Sequence, residues 1–316
     1  MPTNEQHRSH ILSTYFAPRG RRRMFTLGMQ LAQLYLSPFD RIIGVIGEAG
    51  SGKSVLIKGM FPGLELTNDD DGVNVRPLPI LDQDLETGFF TPHTYHLDIR
   101  FEMGFHQMTE LADAILQAVH RGKRVIVEHF DLIYPLLGHN ADLLIGVGEE
   151  IVITRPNLFG PEPRFIYDMV YQSLPYRLMA HTAEDICEFL MPKEDMARCV
   201  HDDVRHGFIL GFPGCAPTWQ PKDLEQQVTE VIAQDWKVDY VDESHISLNG
   251  TLHPCTGPRT HVRTTGQIKG FCLLDHFVYD RKNDRYLLIG CVGEDTAKSM
   301  QLLDKLSKLP QDELQF

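Results

Sequence analysis

The sequence predicts an α/β phosphate-loop domain followed by an α+β domain. Three observations carry that prediction. Gly47-Glu48-Ala49-Gly50-Ser51-Gly52-Lys53-Ser54 fits G-x-x-x-x-G-K-[ST] and stands between an apolar run and a helical one. Short apolar strands alternate with helically spaced segments through Thr154. Beyond the Pro-rich stretch 156–163 the order changes to runs of helices and then of strands, the pattern of an α+β domain.

The elements follow in order. Arg22–Leu36 has apolar residues at helical spacing (Met24, Leu27, Leu31, Leu34). Arg41–Ile46 reads as a buried strand, and Ser54–Met60 as the first turns of a helix. Asn68–Gly72 reads as a turn, and Val73–Leu81 as strand then loop. Thr94–Arg100 alternates as a strand, Phe105–His120 is helical, and Arg124–Glu128 is a buried strand ending in an acid. Asp142–Gly146 and Glu150–Thr154 are short strands. Phe165–Met179 is expected as a helix at the junction. Ala183–Leu190 and Lys193–His201 follow as helices, Arg205–Gly211 as a strand and Pro221–Gln234 as a helix. Strands at Trp236–Val241 and Phe277–Ile289 and a last amphipathic helix at Thr296–Leu309 complete the reading. The implied domains are 1–160 with the phosphate loop, a junction helix over 161–175, and 176–316.

Composition bounds the function. A chain of 316 residues, 42% hydrophobic, suffices for two domains with sizeable cores. No apolar run approaches the ~20 residues of a membrane span. The polar Met1–His10 has no signal-peptide pattern, and six cysteines without framework spacing fit a reducing compartment, so a cytoplasmic location is expected. The net charge of −13, shared as −6 over 1–175 and −7 over 176–316, argues against a general nucleic-acid coat. The local exception is Arg19-Gly20-Arg21-Arg22-Arg23, a solvated helix start or a phosphate contact.

The phosphate loop has a direct chemistry. Its glycines let consecutive N–H groups turn inward around phosphate oxygens at the positive end of a helix. Lys53 is expected at the β- and γ-phosphates and Ser54 on Mg²⁺, with Gly47, Glu48, Ala49, Gly50, Ser51 and Gly52 forming the cradle. The implied ligand is ATP or GTP, since no base-reading motif stands out. Mg²⁺ needs an acid at the end of a neighbouring strand. Glu128 ranks first because Val125-Ile126-Val127 leads into it; Asp98 ranks second, and Asp131 is an alternative as acid or helix cap.

Phe25–Ala32, the phosphate loop, Lys58-Gly59, Tyr95–Arg100 and Val125–His129 stand in the order found in the small ATPase of bacterial tRNA threonylcarbamoyladenosine synthesis, the TsaE family, and the stretch 25–155 resembles it. The resemblance implies a catalytic Asp98 and a Glu128 near the metal. Ser54 replaces the family's usual Thr, and His129 its Trp.

The second half holds metal-ligand chemistry. His181 and Asp185 are i,i+4 neighbours on one helix face, and Cys255 and His261 flank a Gly-Pro turn. Together they offer a tetrahedral Zn²⁺ set, although a His near an Asp is also an ordinary cap or surface pair. His201 and His206 are alternates, favoured as core or surface residues. Around these positions His181-Thr182-Ala183, Val204–Phe208, Asp223–Ile232, Cys255–Ile268 and Ile289–Ala297 resemble, in order, the second additional domain of alanyl- and threonyl-tRNA synthetases and of free-standing alanyl-tRNA editing proteins. The resemblance covers 176–305 and implies a metal site that hydrolyses mischarged aminoacyl-tRNA. Two departures stand out: Asp185 replaces the family's second helical His, and Arg259-Thr260 lengthens the Cys–His spacing.

Together these imply an ATPase acting on or with tRNA or an aminoacyl-tRNA end. A small-molecule kinase with Asp98 as base, a nucleotide-gated zinc-dependent deacylase, and a binding module without chemistry are the other readings.

Overall fold

The structure is a computed structural model that describes residues 12–67, 80–81, 93–294, 296 and 300–301. The chain divides into two units, Met1–Ala17 with Arg21–Leu174, and Pro18–Gly20 with Pro175–Phe316. Pro18–Gly20 thus belongs to the second unit, which a cut between 160 and 176 alone does not anticipate.

The first unit runs β1 (Ser13–Phe16), α1 (Arg21–Tyr35), β2 (Ile42–Ile46), α2 (Lys53–Met60), β3 (Thr94–Asp98), α3 (Ile99–Glu102), α4 (Met108–His120), β4 (Arg124–Glu128), α5 (Phe130–Leu137), β5 (Leu143–Val147) and β6 (Glu150–Thr154). The described strands form one sheet in the order β1-β6-β5-β2-β4-β3. β5, β2, β4 and β3 are parallel to their neighbours within that group, whereas β6 and β1 add antiparallel to one edge. β2 and β5 are buried at every position, as expected for parallel strands covered on both faces.

Alternation along the strands feeds two cores. Ile42, Ile46, Val125 and Val127 pack with Leu111, Ile115, Phe130 and Ile133 from α4 and α5. Ile43, Val45 and Ile126 pack with Met24, Leu31, Leu56 and Ile57 from α1 and α2. Gly28 and Gly59 let α1 and α2 approach backbone to backbone. A Cβ on Gly28 would lie 2.5 Å from Leu56 O, and one on Gly59 2.2 Å from Phe25 O. This close approach holds α2, the helix that opens at Lys53.

A long helix, α6 (Pro163–Leu190), passes through the boundary between the units. The second unit continues with α7 (Lys193–Arg198), β7 (Val200–Val204), β8 (Gly207–Pro213), α8 (Pro221–Ala233), β9 (Val238–Asp242), β10 (His245–Leu248), β11 (Thr251–Pro254), β12 (Cys272–Leu273), β13 (Val278–Asp280) and β14 (Arg285–Cys291). One sheet has the order β12-β14-β8-β7 with β13 also on β14; a second has the order β11-β10-β9. Ala180, Ala183, Ile186 and Cys187 of α6 pack on Phe208, Leu210 and Phe212 of β8, with Leu224 and Val228 of α8.

Several boundaries differ from the sequence reading. Residues 165–179 and 183–190 belong to one helix, continuous through Pro175. The strand expected over Thr94–Arg100 stops at Asp98, whose side chain caps α3. Lys193–His201 splits into a short helix and the start of β7. Leu34, placed by periodicity on the apolar face of α1, is 66% exposed. β1, β10, β11 and β12 were not anticipated. The turn and loop expected over 68–79 and most of the helix expected over 296–309 lie outside the described residues. No helix among the described residues is long and apolar enough to cross a membrane.

Candidate functional sites

The loop between β2 and α2 has the backbone a phosphate cradle requires. Gly50 and Gly52 have φ of 77° and 89°, left-handed values that L side chains rarely adopt. A Cβ on Gly47 would stand 2.7 Å from Val147 O, so the strand can turn into the loop there only as glycine. Lys53 is buried; its Nζ donates to Glu48 O at 3.0 Å and lies 3.5 Å from Glu128 Oε2. Ser54 follows in the first turn of α2 and is half-buried.

Strand order explains why Glu128 is there. β4 lies beside β2, with Val45 opposite Glu128, so the acid ending β4 flanks the strand that runs into the loop. His96 orients it. Thr67 N–H donates to His96 Nδ1 at 3.1 Å, which puts the ring proton on Nε2, and Nε2 donates to Glu128 Oε1 at 3.1 Å. Burial pushes the Glu128 carboxyl up, but His96, Lys53 and His129 together bring it down to about 2. Glu128 is therefore a buried, ionised carboxylate within reach of an ammonium group.

Asp98 stands opposite Glu128 in the register, and its Oδ1 accepts the Phe101 N–H at 3.2 Å. It reaches the same strand ends as Glu128, and one of its oxygens serves the local backbone. Glu48 of the loop accepts from its neighbour Ala49 N–H at 2.9 Å and pairs with Arg100, which also donates to Tyr171 Oη at 3.2 Å. His129 has φ 56° at the start of α5, and burial, with Lys53 nearby, pushes it down to about 4. Asp131 does not cap α5; that position is His129, and Asp131 sits in the first turn, pushed up by burial.

The donor set fits a magnesium nucleotide. The hydroxyl of Ser54 and an ionised acid at Glu128 are oxygen ligands of the kind Mg²⁺ takes, and Lys53 with the loop amides suits phosphate oxygens. When bound, Mg²⁺ supplies charge neutralisation at the phosphates.

The second unit gathers the four predicted metal-binding residues. His181 and Asp185 come from one face of α6, Cys255 follows β11, and His261 follows the Gly-Pro turn. Cys255 Sγ is 3.7 Å from His181 Nε2 and 3.8 Å from His261 Nε2. Asp185 Oδ2 is 2.9 Å from His261 Nε2, and Oδ1 is 3.8 Å from His181 Nε2.

The surrounding carbonyls fix both rings. His181 Nδ1 faces Thr260 O at 3.0 Å, and His261 Nδ1 faces Pro258 O at 3.2 Å. A carbonyl only accepts, so both Nδ1 atoms carry protons and both Nε2 atoms turn toward Sγ and the Asp185 carboxylate. Burial drives His181 down to about 3, so its Nε2 offers a lone pair. The contact of His261 Nε2 with Asp185 Oδ2 requires a positive charge between two acceptors, either a proton or a metal cation. Gly257 N–H donates to Cys255 Sγ at 3.3 Å and favours a thiolate, although burial and the Asp185 charge push the thiol up, so a cation is needed to hold it deprotonated. The four donors fit a tetrahedral Zn²⁺ set. Thr260 thus supplies the carbonyl that holds His181.

Other groups lie along the same face of α6. Glu184 is buried and paired with Arg19 at 2.8 Å, so the first arginine of the basic run is neither solvated nor free for phosphate. Arg19 also lies 3.1 Å from Asp203. His201 lies 3.1 Å from both Glu184 Oε1 and Glu188 Oε1. His206 stacks on Tyr176 at 3.7 Å between ring centroids. The sequence reading left out His96, Thr67, Arg19, Glu184, Glu188 and His253. A signal existed for some. Glu188 falls seven residues after His181 on the same helix face, His253 two before Cys255, and His96 two before Asp98 on a strand.

No family model and no curated protein matches the chain. Among solved structures it is similar to YdiB of Bacillus subtilis, at 20% identity and a TM-score of 0.27, over 52% of this chain and 97% of that one. Likeness at that score carries no structural or functional weight.

Proposed function

We propose that this chain binds ATP or GTP with Mg²⁺ at the loop 47–54 and hydrolyses it. The observation that carries the reading is the meeting of Lys53 Nζ with Glu128 at 3.5 Å beside a loop held in left-handed glycine turns. The loop amides and Lys53 bind the phosphates at the N-terminus of α2. Ser54 and Glu128 hold the metal. His96 keeps Glu128 ionised and fixed in orientation. Asp98, across the strand pair from Glu128, is the acid positioned to orient a nucleophile.

The proposal extends to the second unit as a zinc-holding, editing-like module, so that the nucleotide cycle acts on or with tRNA or an aminoacyl-tRNA end. It rests there on the ordered segment resemblance and the four convergent donors. Nucleotide-gated deacylation is the second reading, favoured by the lone pair that His181 turns toward Cys255. Four protein donors close a tetrahedral site, however, and a hydrolytic zinc keeps one position open. The kinase reading draws on no observation beyond Asp98.

Phosphate release from ATP and GTP with Mg²⁺, by wild type and Lys53→Ala, tests the proposal. Turnover in wild type and its loss in the variant are expected. Equal release by both proteins refutes the assignment of the loop. Release of an amino acid from mischarged tRNA without hydrolysis of the nucleotide would favour the deacylase.

A further inference from the structure

Asp185 does not serve one cluster only. Asp185, Glu188 and His253 each offer a ligand atom, all within 4.8 Å of one another, beside the set of His181, Asp185, Cys255 and His261. All three residues are buried, with Glu188 at 7% exposure and His253 at 3%. His253 Nε2 makes no hydrogen bond, and its approach to Glu188 Oε2, at 4.0 Å, is too long for one. Glu188 Oε1 lies 3.1 Å from His201 Nε2 but is not aligned to accept from it. A buried imidazole nitrogen and a buried carboxyl oxygen left in this state have lost their water without a hydrogen bond to replace it. Glu188 and His253 each place a ligand atom within 4.8 Å of one from Asp185.

We propose that Asp185 bridges two divalent cations of the zinc class, the second held by Asp185, Glu188 and His253. This rests on the reading of His181, Asp185, Cys255 and His261 as a metal site. A carboxylate has lone pairs enough to serve two ions, and paired-ion sites place them ~3.5–4 Å apart. One imidazole and two carboxylates form a nitrogen and oxygen set acceptable to zinc, cobalt or manganese.

The two positions differ in what they leave over. His181, Cys255, His261 and Asp185 saturate a tetrahedral ion and make it a structural one. Asp185, Glu188 and His253 supply three ligands, which leaves one position for a non-protein ligand. The departure from a second helical histidine acquires a reason here, because an imidazole nitrogen cannot bridge as a carboxylate does. The third grouping, Glu188 with Cys199 and His201, is the weaker choice. Its Cys199 and His201 are only half-buried, whereas Asp185, Glu188 and His253 are all buried.

The test is stepwise Co²⁺ addition to the metal-stripped 316-residue chain, with zinc content measured in parallel by elemental analysis. Two equivalents per chain are expected in wild type. One of them gives the near-ultraviolet thiolate-to-cobalt band of Cys255, and the other leaves that band unchanged. Glu188→Gln and His253→Ala are each expected to bind one equivalent with the band retained, which also reports that the site at Cys255 is still folded. One equivalent in wild type, unchanged in both variants, overturns the second ion and leaves the first intact. No stoichiometric metal in wild type overturns both.

Discussion

Replacing Glu128 by Gln tests the construction of the phosphate-loop site through acid stability. The carboxyl is buried, and it is ionised because His96 donates to it and Lys53 stands 3.5 Å away. Its fall from the ordinary 4.5 to about 2 corresponds to about 3 kcal/mol favouring the ionised form, at ~1.4 kcal/mol per tenfold change in proton affinity. A carboxyl with a depressed folded-state value contributes its stability above the unfolded value and loses it as pH falls through the folded one. The stability of wild type over Glu128→Gln is therefore constant above about pH 5 and shrinks by about 3 kcal/mol by about pH 2. Urea unfolding followed by far-ultraviolet circular dichroism measures it. Both tryptophans, Trp219 and Trp236, lie in the second unit, so their fluorescence identifies that unit's transition separately. Groups remote from position 128 cancel in the difference; His129, whose charged form Glu128 favours, titrates lower in the variant and offsets part of the loss below about pH 4. A difference that stays flat from pH 6 to pH 2.5 refutes the reasoning, because it means Glu128 carries no preferential stabilisation of its charge.

Four further outcomes are expected. Gly52→Ala forces a side chain into φ 89° at the N-cap of α2, so first-unit stability falls by ~1–2 kcal/mol and nucleotide affinity at equilibrium dialysis falls at least tenfold. Gly28→Ala drives a Cβ toward Leu56 O and costs ~1–3 kcal/mol in urea unfolding despite the better helix propensity of alanine. Asp98→Asn keeps an acceptor for the Phe101 N–H, whereas Asp98→Ala loses it and costs about 1 kcal/mol. A large fall in phosphate release with both variants assigns Asp98 to the chemistry, and a fall with Ala alone assigns it to the helix cap. Cys255→Ala is expected to lower bound zinc in elemental analysis, and equal metal in both proteins removes the tetrahedral site.

The phosphate loop was legible because its demands are local. Left-handed turns need glycine, an anion cradle needs consecutive amides, and all eight residues are contiguous. Glu128 was legible for a related reason: an acid directly after a run of β-branched residues is out of place in an apolar strand and marks where that strand ends. Its partner His96 was not, because the pairing depends on β3 lying beside β4. Likewise the i,i+4 spacing of His181 and Asp185 was readable, and the spacing after Cys255 was not enough to say which carbonyls would hold the rings.

The chain order alone determined the α/β character of the first half, the glycine-rich turn between strand and helix and the residue types able to ligate metal in the second, since each follows from periodicity or from neighbours along the backbone. Tertiary structure alone decided that Arg19 joins Glu184, that α6 runs unbroken through Pro175, and that Glu188 and His253 converge on Asp185. Those contacts join residues as many as 165 positions apart. Their formation depends on which strands pair and which helix face is buried, and neither is encoded in any one segment.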